Sequence, residues 1–322
     1  MDTKLRISVV IPTYGTRERT LQCLAALWLC NPQPDEVIVV DDESPDNTAP
    51  SVLRKYPHHI VVRLPTRRGL AAAANHGLAR ASGDLLLLLD SDTEVDGSAI
   101  GAVLSAFEAR DDLGVAGAAL RYPNGGRRWS GGRLPGSLWC FAQASGLPSI
   151  LEHTKLWRWL RSHPVSRTGR VDWVAGTAMV VRRSLWEEIG PFDLGYRLSG
   201  QYIDFCCNAA DAGSKIEIIP GFGVVYPASG STSYEGFAPR ISVDELMWAD
   251  LVHFADKRKG DAGARRSGRA LQLGGRLRLF GRRMATPLVP WERKEEWQAE
   301  TIACAQALRS VDAAFTRHRP QP

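Results

Sequence analysis

Apolar positions along the first 120 residues alternate between two patterns. Ile7-Ser8-Val9-Val10-Ile11, Glu36–Val40, Ile60–Arg63 and Leu85–Leu89 are short strand-type runs, the first closed by Pro12. Between them, 17–30 carries Leu21, Leu24, Ala25 and Trp28 at helical spacing, 48–55 suits a short helix, and 69–79 is alanine-rich and helical. Unbroken apolar strands alternating with helices predict parallel βαβ units in an α/β fold, the sheet covered on both faces. Residues 121–136, rich in Gly, Arg and Pro, predict a loop, followed by a stretch holding Trp139, Trp157, Trp159 and Trp173. Further on, 171–182 predicts a strand broken at Gly176, 184–189 and 200–212 helices, and 215–219 another strand. Past residue 240 the pattern turns helical and basic, with a linker over 286–291 and a last helix over 292–314 that suits a dimer contact. The divisions are therefore one α/β domain in two halves, 1–120 and 121–240, and a helical basic tail over 241–322.

Open sheets of this kind bind ligands beyond the carboxyl ends of their strands. The polar residues cluster there: Thr13 and Tyr14, then Asp41 and Asp42, then Asp90, Ser91 and Asp92. Two carboxylates one residue apart on a tight turn offer hard oxygen ligands suited to Mg²⁺ or Mn²⁺, although an isolated Asp-Ser-Asp is as readily a solvated turn. In Asp41-Asp42-Glu43-Ser44-Pro45-Asp46, a carboxylate can accept the N3–H of a uracil or thymine ring. The ordinary alternative is turn chemistry capping the next helix, which suits Asp46 better than Asp42.

Composition narrows the class. The 322 residues are 44% hydrophobic and 23% charged, which excludes a disordered, collagen-like or disulfide-stapled chain. Six cysteines show no CxxC pair or metal-ligand spacing, and they suit reduced core thiols. No signal peptide is recognisable, and the longest apolar run, Leu85–Leu89, is too short to span a bilayer. The expectation is a soluble, cytoplasmic protein.

The motifs then combine. Ile-Pro-Thr-Tyr at 11–14, Val-Asp-Asp-x-Ser-x-Asp at 40–46, Arg-Gly-Leu-Ala-Ala-Ala-Ala-Asn-His-Gly at 68–77 and Gly-Asp-(Leu)5-Asp-Ser-Asp at 83–92 occur in that order. Together they resemble the nucleotide-binding half of the GT-A family-2 glycosyltransferases, over about residues 5–120. The likeness continues through Trp173-Val-Ala-Gly176 and Ile189-Gly-Pro-Phe-Asp193 to near Ser231, where it is similar to the rhamnosyltransferase-like branch. The resemblance implies a GT-A fold with a Rossmann-like, mostly parallel central sheet and a nucleoside-diphosphate sugar as donor. It implies that Pro12, Thr13 and Tyr14 wall the base pocket and that Asp42 recognises the base edge. Arg68 and Asn75 would line the ribose–diphosphate path, Asp90 and Ser91 would sit near the ribose, and Asp92 would bind Mn²⁺ or Mg²⁺. Trp173 and Gly176 would fall on the acceptor side.

Two family positions differ here. Where an inverting member carries its general base, the segment Gly200-Gln201-Tyr202-Ile203-Asp204 places Tyr202, and an unperturbed phenol is a poor base at neutral pH. Asp204, two residues on, is a displaced candidate, but i and i+2 point to different sides of a helix. Asp172 and Glu235 are further carboxylates on the acceptor side. Where relatives carry a metal-binding histidine, Gly223-Val-Val-Tyr-Pro227 ends in proline.

Between residues 251 and 284 stand ten Lys or Arg and two acidic residues. Ala270, Leu273, Leu277, Phe280 and Met284 recur at helical spacing there, with Gly274-Gly275 expected to weaken the helix. A basic amphipathic helix suits the headgroup region of an anionic membrane; its alternative is a helix packed on the domain with a solvated cationic face. Nucleic acid is not indicated, since the aromatics do not interleave with the charges. The expectation is a metal-dependent inverting glycosyltransferase using a UDP- or dTDP-sugar on a glycan or lipid-linked glycan, peripheral at the cytoplasmic membrane face. The alternative is a relative that binds donor or acceptor without efficient turnover.

Overall fold

A computed structural model describes residues 4–147, 169–226 and 243–317. The chain forms two compact units: one from 1–133, 162–194 and 201–236, the other from 134–161, 195–200 and 237–322. Trp157, Trp159, Pro227, Ser231 and Glu235 lie outside the described residues.

The first unit is built on a nine-stranded sheet. Strands β1 (Ile7–Thr13), β2 (Glu36–Asp41), β3 (Ile60–Arg63) and β4 (Leu85–Leu89) lie parallel in the order β3-β2-β1-β4. Helices α1 (Arg17–Trp28), α2 (Thr48–Lys55) and α3 (Leu70–Leu78) connect them, as the alternating pattern predicts. β1 and β4 are buried along their whole length, which is why their sequences do not alternate. The alanine-rich helix has a packing reason. A side chain on Gly77 would reach Val10 Cγ1 at 2.3 Å and Val40 Cγ2 at 2.9 Å, so α3 lies close against β1 and β2.

Helix α4 (Ala99–Glu108) follows a short β5 (Glu94–Val95), and β6 (Leu113–Arg121) enters the sheet beyond it. A strand pair β7 (Gly131–Gly132) and β9 (Trp173–Val174) stands apart, and β8 (Gly169–Arg170) pairs with the last strand. The strand expected over 171–182 is split around Gly176 into β9 and β10 (Ala178–Arg182). β10 runs antiparallel between β4 and β6. Helices α6 (Arg183–Ile189) and α7 (Gly200–Asp211) precede β11 (Lys215–Val225), whose register shifts between Ile219 and Gly223 let it run past its expected end at 219. Gly221-Phe222-Gly223 is therefore part of this strand. Six of the nine strands point the same way, giving a mixed, mostly parallel sheet.

The second unit is helical. Helix α5 (Ser137–Ser145), α8 (Val243–Ala285, broken at Gly260 with φ 60°) and α9 (Lys294–Arg317) share a core of Cys140, Ala144, Trp248, Leu251, Leu271, Cys304, Ala307, Leu308 and Val311. Gly274 and Gly275, expected to weaken α8, are instead its closest contacts. A Cβ on Gly274 would lie 2.5 Å from the Phe141 carbonyl, and one on Gly275 would lie 2.8 Å from Leu308 and from Trp248. Burial of the helix outweighs the loss of propensity, about 1 kcal/mol per glycine.

Asp250 of α8 is the polar anchor of this unit. Its buried carboxylate accepts the backbone N–H groups of Arg197, Leu198, Ser199 and Gly200 at 2.8–3.0 Å. Replacing Asp250 with Ala leaves four donors without their acceptor and is expected to cost about 2–4 kcal/mol. A thermal melt several degrees below wild type would register this, and an unchanged melt would show that water replaces the carboxylate.

Candidate functional site

Three strand ends, those of β1, β2 and β4, meet on one edge of the first unit. At the end of β1, Pro12 and Thr13 are buried and paired in register with Val40 and Asp41. The Thr13 hydroxyl lies 2.8 Å from those of both Thr16 and Thr20, and the Thr16 hydroxyl lies 2.9 Å from Ser91. A buried chain of hydroxyls thus ties the start of α1 to the turn after β4.

At the end of β2 the carboxylates hold main chain. Asp41 accepts the N–H groups of Ser44 at 2.8 Å and Ala49 at 3.2 Å. Asp42, also buried, accepts those of Arg68 at 2.7 Å and Gly69 at 2.8 Å, one on each oxygen. Asp46 accepts the Arg17 N–H at 2.8 Å and the Thr48 hydroxyl at 2.5 Å, which ties the starts of α1 and α2 together. The Arg68 side chain is exposed. Its neighbour Arg67 lies over the Tyr14 ring, 3.9 Å from the centroid, while its N–H bonds Glu43. Sequence reasoning singled out Arg68, for the diphosphate path, and did not single out Arg67.

Beyond β4, Asp90 is half-buried and Asp92 buried. Burial first, then the neighbouring Asp92 charge, raises the Asp90 carboxyl above its ordinary range, against a hydrogen bond with Thr177 and the charge of Arg128. Burial also raises Asp92, opposed chiefly by Arg19 and less by Arg128 and Tyr226. Arg19 Nη1 stands 3.6 Å from Asp92 Oδ2, and neither atom has a hydrogen-bond partner. The Arg128 guanidinium lies over the Tyr226 ring, 3.6 Å from its centroid. Arg19, Arg128 and Tyr226 do not stand out as site residues in the sequence, where only Thr16-x-x-Arg19 on one helix face carries a hint.

On the other side of β4, Trp173 is buried, donates its indole N–H to the Arg133 carbonyl at 2.9 Å and meets Trp129 edge-on at 4.8 Å. Trp129 is the more exposed of the two. Asn75 makes a paired contact with the Phe192 backbone, donating at 2.8 Å and accepting at 2.9 Å. Phe192 in turn packs edge-on against Tyr202 at 5.2 Å. Tyr202 and Asp204 are both buried, at 5% and 1% exposure. Gly176 lies directly beneath the Tyr202 ring, where a Cβ would fall 2.1 Å from Tyr202 Cζ. All six cysteines are free and buried, and burial pushes the thiols of Cys30 and Cys140 up to about 11 and that of Cys206 up to about 12, so none of these three is a nucleophile at neutral pH.

Residues 8–190, more than half the chain, match the family model of Glycosyl transferase family 2. The chain belongs to that family. This family-2 glycosyltransferase is similar to the N-acetylglucosaminyl-diphospho-decaprenol L-rhamnosyltransferase of Mycobacterium tuberculosis, 24% identical over 272 residues that cover 79% of this chain and 85% of that one. It is also similar to a dolichol-phosphate mannosyltransferase of Pyrococcus furiosus, 33% identical over 130 residues, 38% of this chain and 35% of that one. Among solved structures, the mannosyltransferase PcManGT from Pyrobaculum calidifontis in complex with GDP-Man and Mn²⁺ aligns with a TM-score of 0.56 at 16% identity, covering 97% of this glycosyltransferase and 87% of that chain. S. aureus TarS 1-349 in complex with UDP-GlcNAc aligns with a TM-score of 0.56 at 19% identity, covering 96% and 83%. Identities this low speak to fold, and the fold they share is GT-A.

The Tyr202–Gly176 contact is open to a direct test. Gly176→Ala is expected to destabilise the glycosyltransferase by about 1–3 kcal/mol through overpacking. Combined with Tyr202→Ala, the cost should shrink, a coupling that denaturant melts of the four proteins measure. Additive costs would mean the ring does not sit on the glycine.

Proposed function

We propose that this glycosyltransferase moves a sugar from a UDP- or dTDP-sugar to a glycan or lipid-linked glycan, with inversion at the anomeric carbon and with help from Mn²⁺ or Mg²⁺. The observation that carries the reading is the Asp90-Ser91-Asp92 turn: two carboxylates at the end of the buried β4, one with an oxygen that no hydrogen bond fills. Those residues fit a hard divalent cation. Among the described residues no group of three His, Cys, Asp or Glu side chains could hold one, so the remaining positions would fall to diphosphate and water. Asp92, with Asp90 beside it, would hold the ion, which supplies positive charge to the leaving nucleoside diphosphate.

The chain's own residues supply the rest. Asp42 keeps a lone pair on each oxygen beyond its bonds to Arg68 and Gly69, enough to accept a pyrimidine N–H. Tyr14, backed by Arg67, offers a wall for the base together with Pro12 and Thr13. Arg68, exposed beside them, is a cation for the diphosphate. Asn75 would act through Phe192 rather than by touching the donor. Trp173 and Gly176 belong to the acceptor side. Kinship with a rhamnosyltransferase puts a deoxyhexose donor first.

Asp204 is the proposed base and Tyr202 holds the position usual for it. Their burial favours a second reading, a relative that binds donor or acceptor without efficient turnover. Thermal melts with UDP, dTDP and GDP, each with and without Mn²⁺, test the donor site. Ligand at about 100-fold over its Kd should add about 2.7 kcal/mol. A Mn²⁺-dependent shift with one pyrimidine nucleotide, lost in Asp92→Asn, is expected; no shift with any nucleotide would overturn the donor reading. Donor hydrolysis by the wild type then separates enzyme from binder, and an Asp204→Asn variant of unchanged rate would remove Asp204 as base.

The lipid-linked acceptor places the reaction at a membrane surface, and α8 supports this. Leu273, Leu277, Phe280 and Met284 recur along one stripe and remain 47–65% exposed. Arg269, Arg276 and Arg283 are exposed beside them, and residues 262–285 contain no acid. No described helix is long and apolar enough to cross a membrane, so the reading is of a face lying in the headgroups. Flotation with anionic vesicles should carry the wild type and lose a Leu277→Ser, Phe280→Ser variant. Equal flotation of both would discard this face.

A further inference from the structure

The geometry points to Arg19 as a resident counter-ion that competes with a divalent cation for Asp92, so that one guanidinium sets how tightly the donor site holds metal. The inference rests on the reading of Asp90 and Asp92 as the cation-binding pair. Arg19 is aimed there by construction. The Thr16 hydroxyl meets Ser91 at 2.9 Å, and Asp46 caps the Arg17 N–H at 2.8 Å, which together pin the first turn of α1 beside the acidic turn. Residues three apart share a helix face, so Arg19 follows Thr16 onto the Asp90–Asp92 side.

The contact is an ion pair without a hydrogen bond. At 3.6 Å, Nη1 and Oδ2 are beyond bonding distance, and neither atom bonds anything else. The Asp92 side chain is 1% exposed and that of Arg19 31%, so screening by water is weak on the carboxylate side. Arg19 therefore supports the anion while leaving Oδ2 without a hydrogen-bond donor. It also meets any incoming cation with like charge, in surroundings where such repulsion is strong. With the Arg19 guanidinium 3.6 Å away, Asp92 offers an incoming divalent ion less net negative charge than the carboxylate would alone. Removing Arg19 returns one net negative charge to the pair.

Mn²⁺ binding, read from the electron paramagnetic resonance signal of the free ion, tests this without any turnover. Wild type, Arg19→Gln and Arg19→Lys are titrated with UDP present and absent. Arg19→Gln is expected to bind Mn²⁺ about tenfold more tightly, equivalent to about 1.4 kcal/mol, with Arg19→Lys close to wild type. Affinities within twofold for Gln and wild type would overturn the inference. Should the Gln variant not fold, Arg19→Met, which keeps the length and removes the charge, carries the same comparison. Melts with UDP, with Mn²⁺ and with a chelator in its place, separate the two readings. A nucleotide shift with unchanged Mn²⁺ affinity sinks the role of Arg19 alone, while no nucleotide shift and no Mn²⁺ retention in any variant sinks the donor site with it.

Discussion

Five consecutive leucines, Leu85–Leu89, fill the middle of the sheet, and all are buried. A strand so apolar must have neighbours on both sides, and β1 and β10 provide them, one parallel and one antiparallel. This constraint fixes the turn at the strand's carboxyl end. The chain leaves the core at Asp90, whose N–H is tied to the Thr177 carbonyl at 2.9 Å, so the acidic turn is held from the β10 side. On the β1 side the hydroxyls of Thr13, Thr16 and Thr20 hold it through Ser91. Two charges are thereby kept at the rim of a hydrophobic interior, and their raised carboxyl affinities for protons are the cost of that position.

The remaining carboxylates divide into struts and open groups. Asp41, Asp46 and, in the helical unit, Asp250 accept main-chain donors from turns that no strand or helix would satisfy. Asp42 belongs with them by its two backbone bonds, yet its position at the end of β2 also leaves it facing the segment from Arg67 to Gly69. Such a carboxylate can shape a pocket and still serve it, because each oxygen has a second lone pair. Asp92 differs in kind. It has an oxygen with no donor at all and a cation at a distance that satisfies charge without satisfying geometry.

The sequence made the four parallel strands, the three helices between them and the polar strand ends legible, because each is set by local periodicity and by a turn residue. α4 and β6 were not read, since Gly114 and Gly117 dilute the strand pattern; both are there because a Cβ would meet Ser214, Leu185 or Val174. The glycine pair in α8 misled for the same reason: propensity is local, and the close approach of α5 and α9 is not. The carboxylates of the candidate site were legible from spacing. Arg19, Arg128, Tyr226 and Arg67 were not, because their meaning depends on which side chain they face across the strand ends.

Tyr202 shows how far spacing alone can be pushed. Its place in the chain marks it as an anomaly of chemistry, a phenol where a carboxylate would serve. Its surroundings give it an ordinary cause. The ring lies on Gly176 and against Phe192, and Phe192 is itself held at its backbone by Asn75 on α3. A chain of contacts thus runs from α3 to the aromatic through residues that each tolerate little change: a glycine with no room for a methyl group, and an amide with both its atoms engaged. An aspartate at 202 would leave the space over Gly176 empty and place a charge among aromatic rings, at the cost of burying an ion. A packed aromatic ring and a carboxylate therefore exclude each other at this position. If a proton acceptor exists for the acceptor hydroxyl, this packing requires it to come from a residue other than the one standing at 202.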